Sequence, residues 1–285
     1  MRLVTYEVEH KGGLGVISRD GKWVYPLRSL DMDYKTMQEL IEGISESEKQ
    51  LLEYVSGQDP YKIRGAAPIE EVKFLAPIPN PKQDVICLGI NYMAHAEESA
   101  RYKKEAFGGE RPYAVYFSKR VNEAVANGEG IESHSDIVAD LDYEVELAVI
   151  IGKEAKNVPE EEVKNYIFGY TIINDVSART LQTQHNQWYF GKSLDGFFPM
   201  GPCITTVEDI PYPPKLSIQS RVNGELRQDS NTELLIFGLT TSSVSFQRHD
   251  IKTWNHHCHR HTGRRRNGLY TAKILKTWRC SRMYH

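Results

Sequence analysis

The segment Asp142–Gly152 constrains the fold of this chain more than any other stretch. From Val145 onward it is almost entirely apolar and strand-forming, and it ends on a glycine, which predicts a buried β-strand. Because side chains alternate across a strand, Glu144 and Glu146 are expected on the same face. Two buried carboxylates side by side cost on the order of several kcal/mol unless something compensates them. A divalent cation would do so, whereas the alternative is the solvated acidic end of an edge strand.

A third carboxylate favours the metal interpretation. Residues 168–175 form another apolar run, which delivers Asp175 at its C-terminal end, and the following residues 176–182 can begin a helical turn. Three oxygen ligands suit Mg²⁺, Mn²⁺ or Ca²⁺ better than zinc, and they leave positions for water or substrate. The predicted metal ligands are therefore Glu144, Glu146 and Asp175.

Further polar residues are candidates for catalysis. His95 and Glu98 stand three residues apart, so on a helical turn they share a face, and the carboxylate can orient the imidazole as a general base. An ordinary pair on a helix surface is the alternative. The segment 102–109, which ends in two glycines, has the composition of a mobile lid or of a solvated charged loop.

Two cations and an amide follow the second acidic strand. Arg179 and Gln182 lie four and seven residues after Asp175, on one face of a continuing helix, and Lys192 comes further along. A cation beside a metal site can hold a substrate carboxylate or stabilise a developing enolate. Taken alone, Arg179 and Lys192 have the properties of ordinary surface charges.

Four segments in this order, GINYMAHAEE, DYEVELAVIIG, GYTIINDVSARTLQ and QWYFGKSLDGFFPMGP, resemble the fumarylacetoacetate hydrolase family. The resemblance runs from about residue 80 to residue 237. It implies an α+β fold in which mixed, mainly antiparallel strands roll into a β-sandwich-like barrel. It also implies a metal-dependent enzyme that acts on 2-oxo or 1,3-diketo acids.

The resemblance assigns roles to individual residues. It implies that Glu144, Glu146 and Asp175 bind Mg²⁺ (or Mn²⁺ or Ca²⁺), and that His95 with Glu98 activates water. Three further side chains would contact the oxo acid: Arg179, Gln182 and Lys192.

The family includes more than one reaction. Hydrolysis of a C–C bond through a metal-stabilised enolate is the expected activity of this chain. Isomerisation of 2-hydroxyhepta-2,4-diene-1,7-dioate or decarboxylation of oxaloacetate is the alternative. A non-catalytic relative is a third possibility.

Composition and prolines divide the chain. Pro77, Pro79 and Pro81 mark a boundary, so residues 1–76 are predicted to form a small N-terminal domain and residues 77–238 the catalytic domain. The net charge of −3 gives no general attraction to nucleic acid, and no apolar run approaches the span of a membrane. The start lacks the features of a signal peptide, and the four cysteines form no CxxC pair. A cytoplasmic enzyme with reduced thiols, assembled as a homodimer, is expected.

Residues 239–285 form a different kind of sequence, with ten basic residues and one acidic residue. The family expects a Thr-Gly-Thr-Pro-Ala-Gly-Val loop beside the metal, and residues 254–266 instead read WNHHCHRHTGRRR. With permitted codons, a one-nucleotide shift turns residues 249–265 into MTLKPGTIIATGTPAGV. The tail is therefore interpreted as out of frame, and it is expected to leave the barrel without its closing strands.

Overall fold

The fold rests on a computed structural model that describes residues 1–89, 91, 113–185 and 187–238, together with the backbone of His256–Arg260. Within these ranges, the two larger helices belong to the N-terminal part and two shorter ones follow the acidic strands. The helices are α1 (Met37–Gly43), α2 (Glu46–Ser56), α3 (Arg179–Gln184) and α4 (Trp188–Lys192). No helix in the described ranges is both long enough and apolar enough to cross a membrane.

Strands dominate the described chain. In order they are β1 (Arg2–Val8), β2 (Lys11–Ile17), β3 (Trp23–Pro26), β4 (Ala67–Pro68), β5 (Lys73–Phe74), β6 (Val85–Gly89), β7 (Val115–Lys119), β8 (Leu141–Asp142), β9 (Val145–Ile151), β10 (Ile167–Asn174), β11 (Ser177–Ala178), β12 (Ile204–Thr206), β13 (Ser217–Val222), β14 (Glu225–Asn231) and β15 (His256–Arg260). The combination of helices with mainly antiparallel strands confirms the predicted α+β class.

One sheet of eleven strands runs through the described residues in the order β4-β3-β2-β1-β12-β10-β9-β15-β6-β7, with β5 paired to β1. All of its pairings are antiparallel except that between β15 and β6. Strands β13 and β14 form a separate hairpin, as its Asn-Gly turn predicts. Strands β8 and β11 pair with each other beside the acidic strands.

The N-terminal part joins this sheet through β1, which pairs with β12 at Leu3 and Ile204. This part contains the antiparallel meander β1–β3 and the helices α1 and α2, and Ser45 forms a capping box with Glu48 at the start of α2. One hydrophobic cluster includes Leu3 and Leu40 from this part and Ile150 from β9. The boundary near residue 76 stays a prediction, because shared sheet and core do not decide where domains separate.

The predicted alternation along β9 is confirmed. Ala148 and Ile150 belong to the cluster shared with the N-terminal part, whereas Leu147 and Val149 belong to a second cluster on the opposite face of the sheet. All seven residues of this strand are buried. A strand that is covered on both faces usually has a nearly continuous run of apolar residues. The presence of the charged residue Glu146 in this strand therefore calls for an explanation.

Strand β15 corrects the expectation that the tail supplies no closing strand. Its backbone lies between β9 and β6, with His257 opposite Val149 and Arg260 opposite Glu146 in the antiparallel register. Backbone hydrogen bonds require no particular side chains, so an extended segment of unusual composition can still pair in the sheet.

Candidate active site

Two of the predicted metal ligands meet where β9 begins and β10 ends. Glu144 precedes β9, Asp175 follows β10, and these strands pair with Val145 opposite Asn174. The backbone N–H of Asp175 donates to the carbonyl of Glu144 over 2.7 Å. Both side chains are buried, with 1% of each residue exposed. The antiparallel pairing therefore brings together two carboxylates that are 31 positions apart in the sequence.

Lys192 lies between these carboxylates. Its Nζ donates to Glu144 Oε2 over 2.8 Å, to Asp175 Oδ2, and to Ser177 Oγ over 2.7 Å. The side chain is fully buried, and the ammonium lies 5.1 Å from the centre of the Phe117 ring. Its place in the site comes from α4, where Trp188 packs edge-on against Phe117 at 5.3 Å between ring centres.

A second buried lysine, Lys119 at the end of β7, lies on the other side of Asp175. Its Nζ donates to Asp175 Oδ1 over 2.8 Å, to the carbonyl of Val176 over 2.9 Å, and to the carbonyl of Lys192. Sequence reasoning missed this residue. A lysine at the end of a strand, followed by Arg120, has no local signal for burial in the sequence.

Arg179 binds the carboxylate oxygen of Glu144 that Lys192 does not contact. Its Nη2 donates to Glu144 Oε1 over 2.5 Å, while Nε and Nη2 both contact Asp142 Oδ2, at 2.8 and 2.6 Å. Nη1 donates to Gln182 Oε1 over 2.8 Å. These contacts give Arg179 and Gln182 a structural place beside the carboxylates; their predicted contact with substrate stays a prediction.

Glu146, the third predicted ligand, is completely buried on β9. Its register partner on β10 is Ile173. Among the described residues, no three His, Cys, Asp or Glu side chains are close enough together to hold a metal ion as they stand. The structure thus brings Glu144 and Asp175 together around the ammonium of Lys192 and places Glu146 on the adjoining stretch of the same strand.

The buried charges shift one another's pKa values. Burial raises the pKa of Asp175, but Lys119 and Lys192 lower it more, so it lies below its usual value. Burial lowers the pKa of Lys119, and the charge of Asp175 opposes that shift only in part. Burial lowers the pKa of Arg179, whereas Glu144 and Asp142 raise it to well above the usual value. Asp175 and Arg179 therefore stay charged at neutral pH.

The predicted base His95, its partner Glu98 and the lid segment 102–109 lie outside the described residues. The last described residue before His95 is Asn91. The Asn91 side chain accepts from the Phe237 N–H over 2.7 Å and donates to the Phe237 carbonyl over 2.9 Å. These two hydrogen bonds hold Asn91 and Phe237 next to each other.

Comparison with known proteins decides the family. Residues 84–242 match the family described as Fumarylacetoacetate (FAA) hydrolase C-terminal. Oxaloacetate tautomerase YisK of Bacillus subtilis (strain 168) is 36% identical over 249 residues, which are 84% of this chain and 81% of that protein. The chain belongs to the fumarylacetoacetate hydrolase family.

Solved structures of family members share the fold. Fumarylacetoacetate hydrolase EaFAH from the psychrophilic Exiguobacterium antarcticum has a TM-score of 0.72 and 32% identity, over 92% of this chain and 86% of that chain. A 5-carboxymethyl-2-hydroxymuconate delta-isomerase from Mycobacterium smegmatis has a TM-score of 0.67 and 25% identity, over 92% of this chain and 88% of that chain. The named relatives are a tautomerase, a hydrolase and an isomerase, so family membership leaves the reaction open.

Proposed function

We propose that this protein is a divalent-metal-dependent enzyme that acts on 2-oxo or 1,3-diketo acids. The observation that carries the proposal is the buried contact of the Lys192 ammonium with both Glu144 Oε2 and Asp175 Oδ2. Two buried carboxylates beside each other concentrate negative charge, and a site of this kind favours the binding of a cation.

The donor set fits a hard divalent cation. Among the described residues, the ion-paired carboxylates of Asp142, Glu144 and Asp175 meet the cations of Lys119, Arg179 and Lys192. The buried Glu146 on the adjoining stretch of β9 brings the described carboxylates to four, against three cations. One carboxylate more than the cations leaves negative charge for a further cation, and oxygen donors favour Mg²⁺ or Mn²⁺. Glu144, Glu146 and Asp175 would hold it. When bound, such a cation would polarise the 2-oxo group of a substrate and offset the negative charge that develops on its oxygen.

Lys192 would bind the acidic substrate, and Arg179 with Gln182 would order the carboxylate beside it. Lys192 lies beside both carboxylates and has an aromatic ring on one side, so its ammonium can hold a substrate carboxylate or an enolate oxygen where water is excluded. Arg179 fixes the orientation of Glu144, and Gln182 fixes that of Arg179. In this arrangement the two residues order the ligand side chain and line the approach to it.

Hydrolysis of a C–C bond is the first candidate reaction. His95 with Glu98 would remove a proton from water, the resulting hydroxide would attack a second carbonyl, and the bond would break to leave an enolate near Lys192. Tautomerisation of oxaloacetate is the second candidate, because the relative with that name matches 84% of this chain. It needs only the transfer of a proton between the carbon next to the 2-oxo group and the oxygen of that group. Oxaloacetate decarboxylation and isomerisation of a 2-hydroxydienedioate use the same enolate. The homodimer and the cytoplasmic location remain predictions.

The test is a screen of the purified protein against oxaloacetate, acylpyruvates and a 2-hydroxydienedioate, with and without Mg²⁺ or Mn²⁺. Alanine at Glu144, Glu146 or Asp175 should abolish both turnover and metal-dependent stabilisation. The matched control is Glu208→Ala, since Glu208 is an exposed acid and should change neither. Unchanged Mn²⁺ binding in Glu144→Ala would move the metal site elsewhere.

A second variant separates the reactions. His95→Ala should retain Mn²⁺ binding but lose hydrolysis, because the base acts on water and not on the cation. Decarboxylation should survive, since polarisation of the 2-oxo group suffices for it. Equal rates of hydrolysis in variant and parent would remove His95 from the mechanism.

A further inference from the structure

Lys119 is a buried charged side chain for which the proposed mechanism has no use. Its residue is 0% exposed. Burying an ammonium is costly unless it is paired and hydrogen-bonded, so its place in the site calls for an explanation.

All of the donors of Lys119 are committed to protein acceptors. An ammonium has three N–H donors, and Lys119 contacts three oxygens: Asp175 Oδ1, the Val176 carbonyl and the Lys192 carbonyl. Lys192 also has three acceptors, but two of them are the carboxylates for which a bound cation would compete, whereas two of the acceptors of Lys119 are backbone carbonyls. The residue therefore acts on its neighbours rather than on a bound molecule.

The three acceptors belong to two segments that carry site residues. Asp175 and Val176 form the turn after β10, and the Lys192 carbonyl ends α4. Lys119 itself ends β7, so its side chain ties three elements together at one nitrogen. The other oxygen of the same carboxylate, Asp175 Oδ2, accepts from Lys192 Nζ. The relative position of Asp175 and Lys192 therefore depends on Lys119.

We propose that Lys119 is a positioning residue, which fixes the Asp175 carboxylate and the end of α4 so that Asp175 and Lys192 face each other correctly. This inference rests on the proposed function insofar as Asp175 and Lys192 are taken as a metal ligand and a substrate-binding group. It goes beyond that function by assigning a separate role to a side chain that touches neither metal nor substrate.

Electrostatics and positioning predict opposite results for metal affinity. As a mere charge, Lys119 repels a cation bound at Asp175, so its removal should tighten binding. As a positioning residue it orders a ligand, and loss of such a partner weakens metal affinity about tenfold or more. The sign of the change in Lys119→Met therefore distinguishes the two roles.

The first experiment measures Mn²⁺ affinity by calorimetry and the EPR spectrum of bound Mn²⁺. Lys119→Met and Lys119→Arg should each weaken binding about tenfold and broaden the spectrum, because arginine keeps the charge but cannot place three short donors on the same oxygens. Lys73→Met, at an exposed lysine, is the matched control and should match the parent. Equal or tighter binding in Lys119→Met, or full affinity in Lys119→Arg, would overturn the proposal.

The second experiment needs no metal. Amide hydrogen exchange of the protein without added metal should be about tenfold faster around residues 175–178 and 188–193 in Lys119→Met, a loss of local protection. Leu40→Ala, which removes a buried side chain of α1, should lower the melting temperature without that local change. Unchanged exchange in both segments would refute the role of Lys119. If the parent protein binds no Mn²⁺, the metal part of the proposed function fails, and hydrogen exchange still decides the role of Lys119.

Discussion

The side-chain oxygen of Asn174 accepts a hydrogen bond of 2.9 Å from the backbone N–H of Glu144. This bond crosses from β10 to the residue before β9, next to the bond from the Asp175 N–H to the Glu144 carbonyl. Both backbone groups of Glu144 are thus fixed, one by Asn174 at the end of β10 and the other by Asp175, which follows it. The backbone of Glu144 is consequently held in place before any ligand binds, while Lys192 and Arg179 hold its carboxylate.

We expect Asn174→Ala to weaken the site. The buried N–H of Glu144 loses its acceptor, which should lower the free energy of unfolding by about 1–3 kcal/mol, and Mn²⁺ affinity should fall with it. Asn231→Ala is the control: Asn231 likewise accepts from a backbone N–H, that of Glu233, at an exposed position. Chemical denaturation and calorimetry would check both variants, and equal Mn²⁺ affinity in Asn174→Ala and the parent would contradict the expectation.

Gly191→Ala should disrupt the approach of α4 to α3. A Cβ at Gly191 would lie 2.5 Å from the Gln182 nitrogen and 2.7 Å from the Ala178 carbonyl oxygen, both backbone atoms that cannot turn aside. The strain should cost about 1–3 kcal/mol, and turnover should drop because Lys192 follows directly. Gly130→Ala adds the same methyl group in open space and should leave melting temperature and turnover nearly unchanged.

Arg179→Lys should reduce turnover or Mn²⁺ affinity about 10- to 100-fold, the usual effect of losing a partner that orients a ligand. Lysine keeps the charge but loses the fork that reaches Asp142, Glu144 and Gln182 together. The comparison is Arg19→Lys, since Arg19 forms an exposed pair with Glu53. Parental turnover in Arg179→Lys would show that the guanidinium geometry has no importance.

The capping box of α2 predicts a stability difference that depends on pH. The Ser45 hydroxyl and backbone N–H lower the pKa of Glu48. A carboxyl group whose pKa is lower in the folded state than in the unfolded state stabilises the folded protein at a pH above the unfolded pKa of about 4.3. This contribution is lost as the pH falls from that value through the lower pKa of the folded state. Ser45→Ala should therefore cost about 1 kcal/mol at pH 7 and less at pH 3. A penalty that grows on acidification would show the opposite sign.

Restoring the alternative reading frame after residue 238 should stabilise the protein and increase turnover. Apart from Glu146, the register partners of β15 are apolar, including Leu147 and Val149 on β9 and Leu88 on β6. The alternative frame reads Ile-Ile-Ala-Thr-Gly at residues 256–260, and apolar, strand-forming residues beside apolar partners should stabilise the protein by about 2 kcal/mol or more. Thermal melting and turnover of both chains would measure the difference. Equal values would show that the tail does no harm.

Sequence reasoning found the elements of the site better than its contacts. Glu144 and Asp175 were predictable because each lies at the end of an apolar run, and antiparallel pairing of these runs brings them together. Lys119 was not predictable, because its burial depends on acceptors that come from Asp175, Val176 and Lys192, more than fifty positions away. The pairing of β15 was missed for a related reason, since backbone hydrogen bonds leave no pattern in side-chain composition.

The pairing of β1 with β12 has a consequence for how the chain reaches its native state. Leu3 can pair with Ile204 only after about two hundred residues have been synthesised. Contacts between residues so far apart in the sequence slow folding, because the chain loses the entropy of closing a long loop before the stabilising contacts form. Strand β5 covers Tyr6 and Glu7 of β1, but until β12 is made the end of this edge at Arg2 and Leu3 stays open to pairing with other chains. Expression at high rates should therefore favour aggregation at this edge, and slower synthesis at low temperature should favour the folded protein.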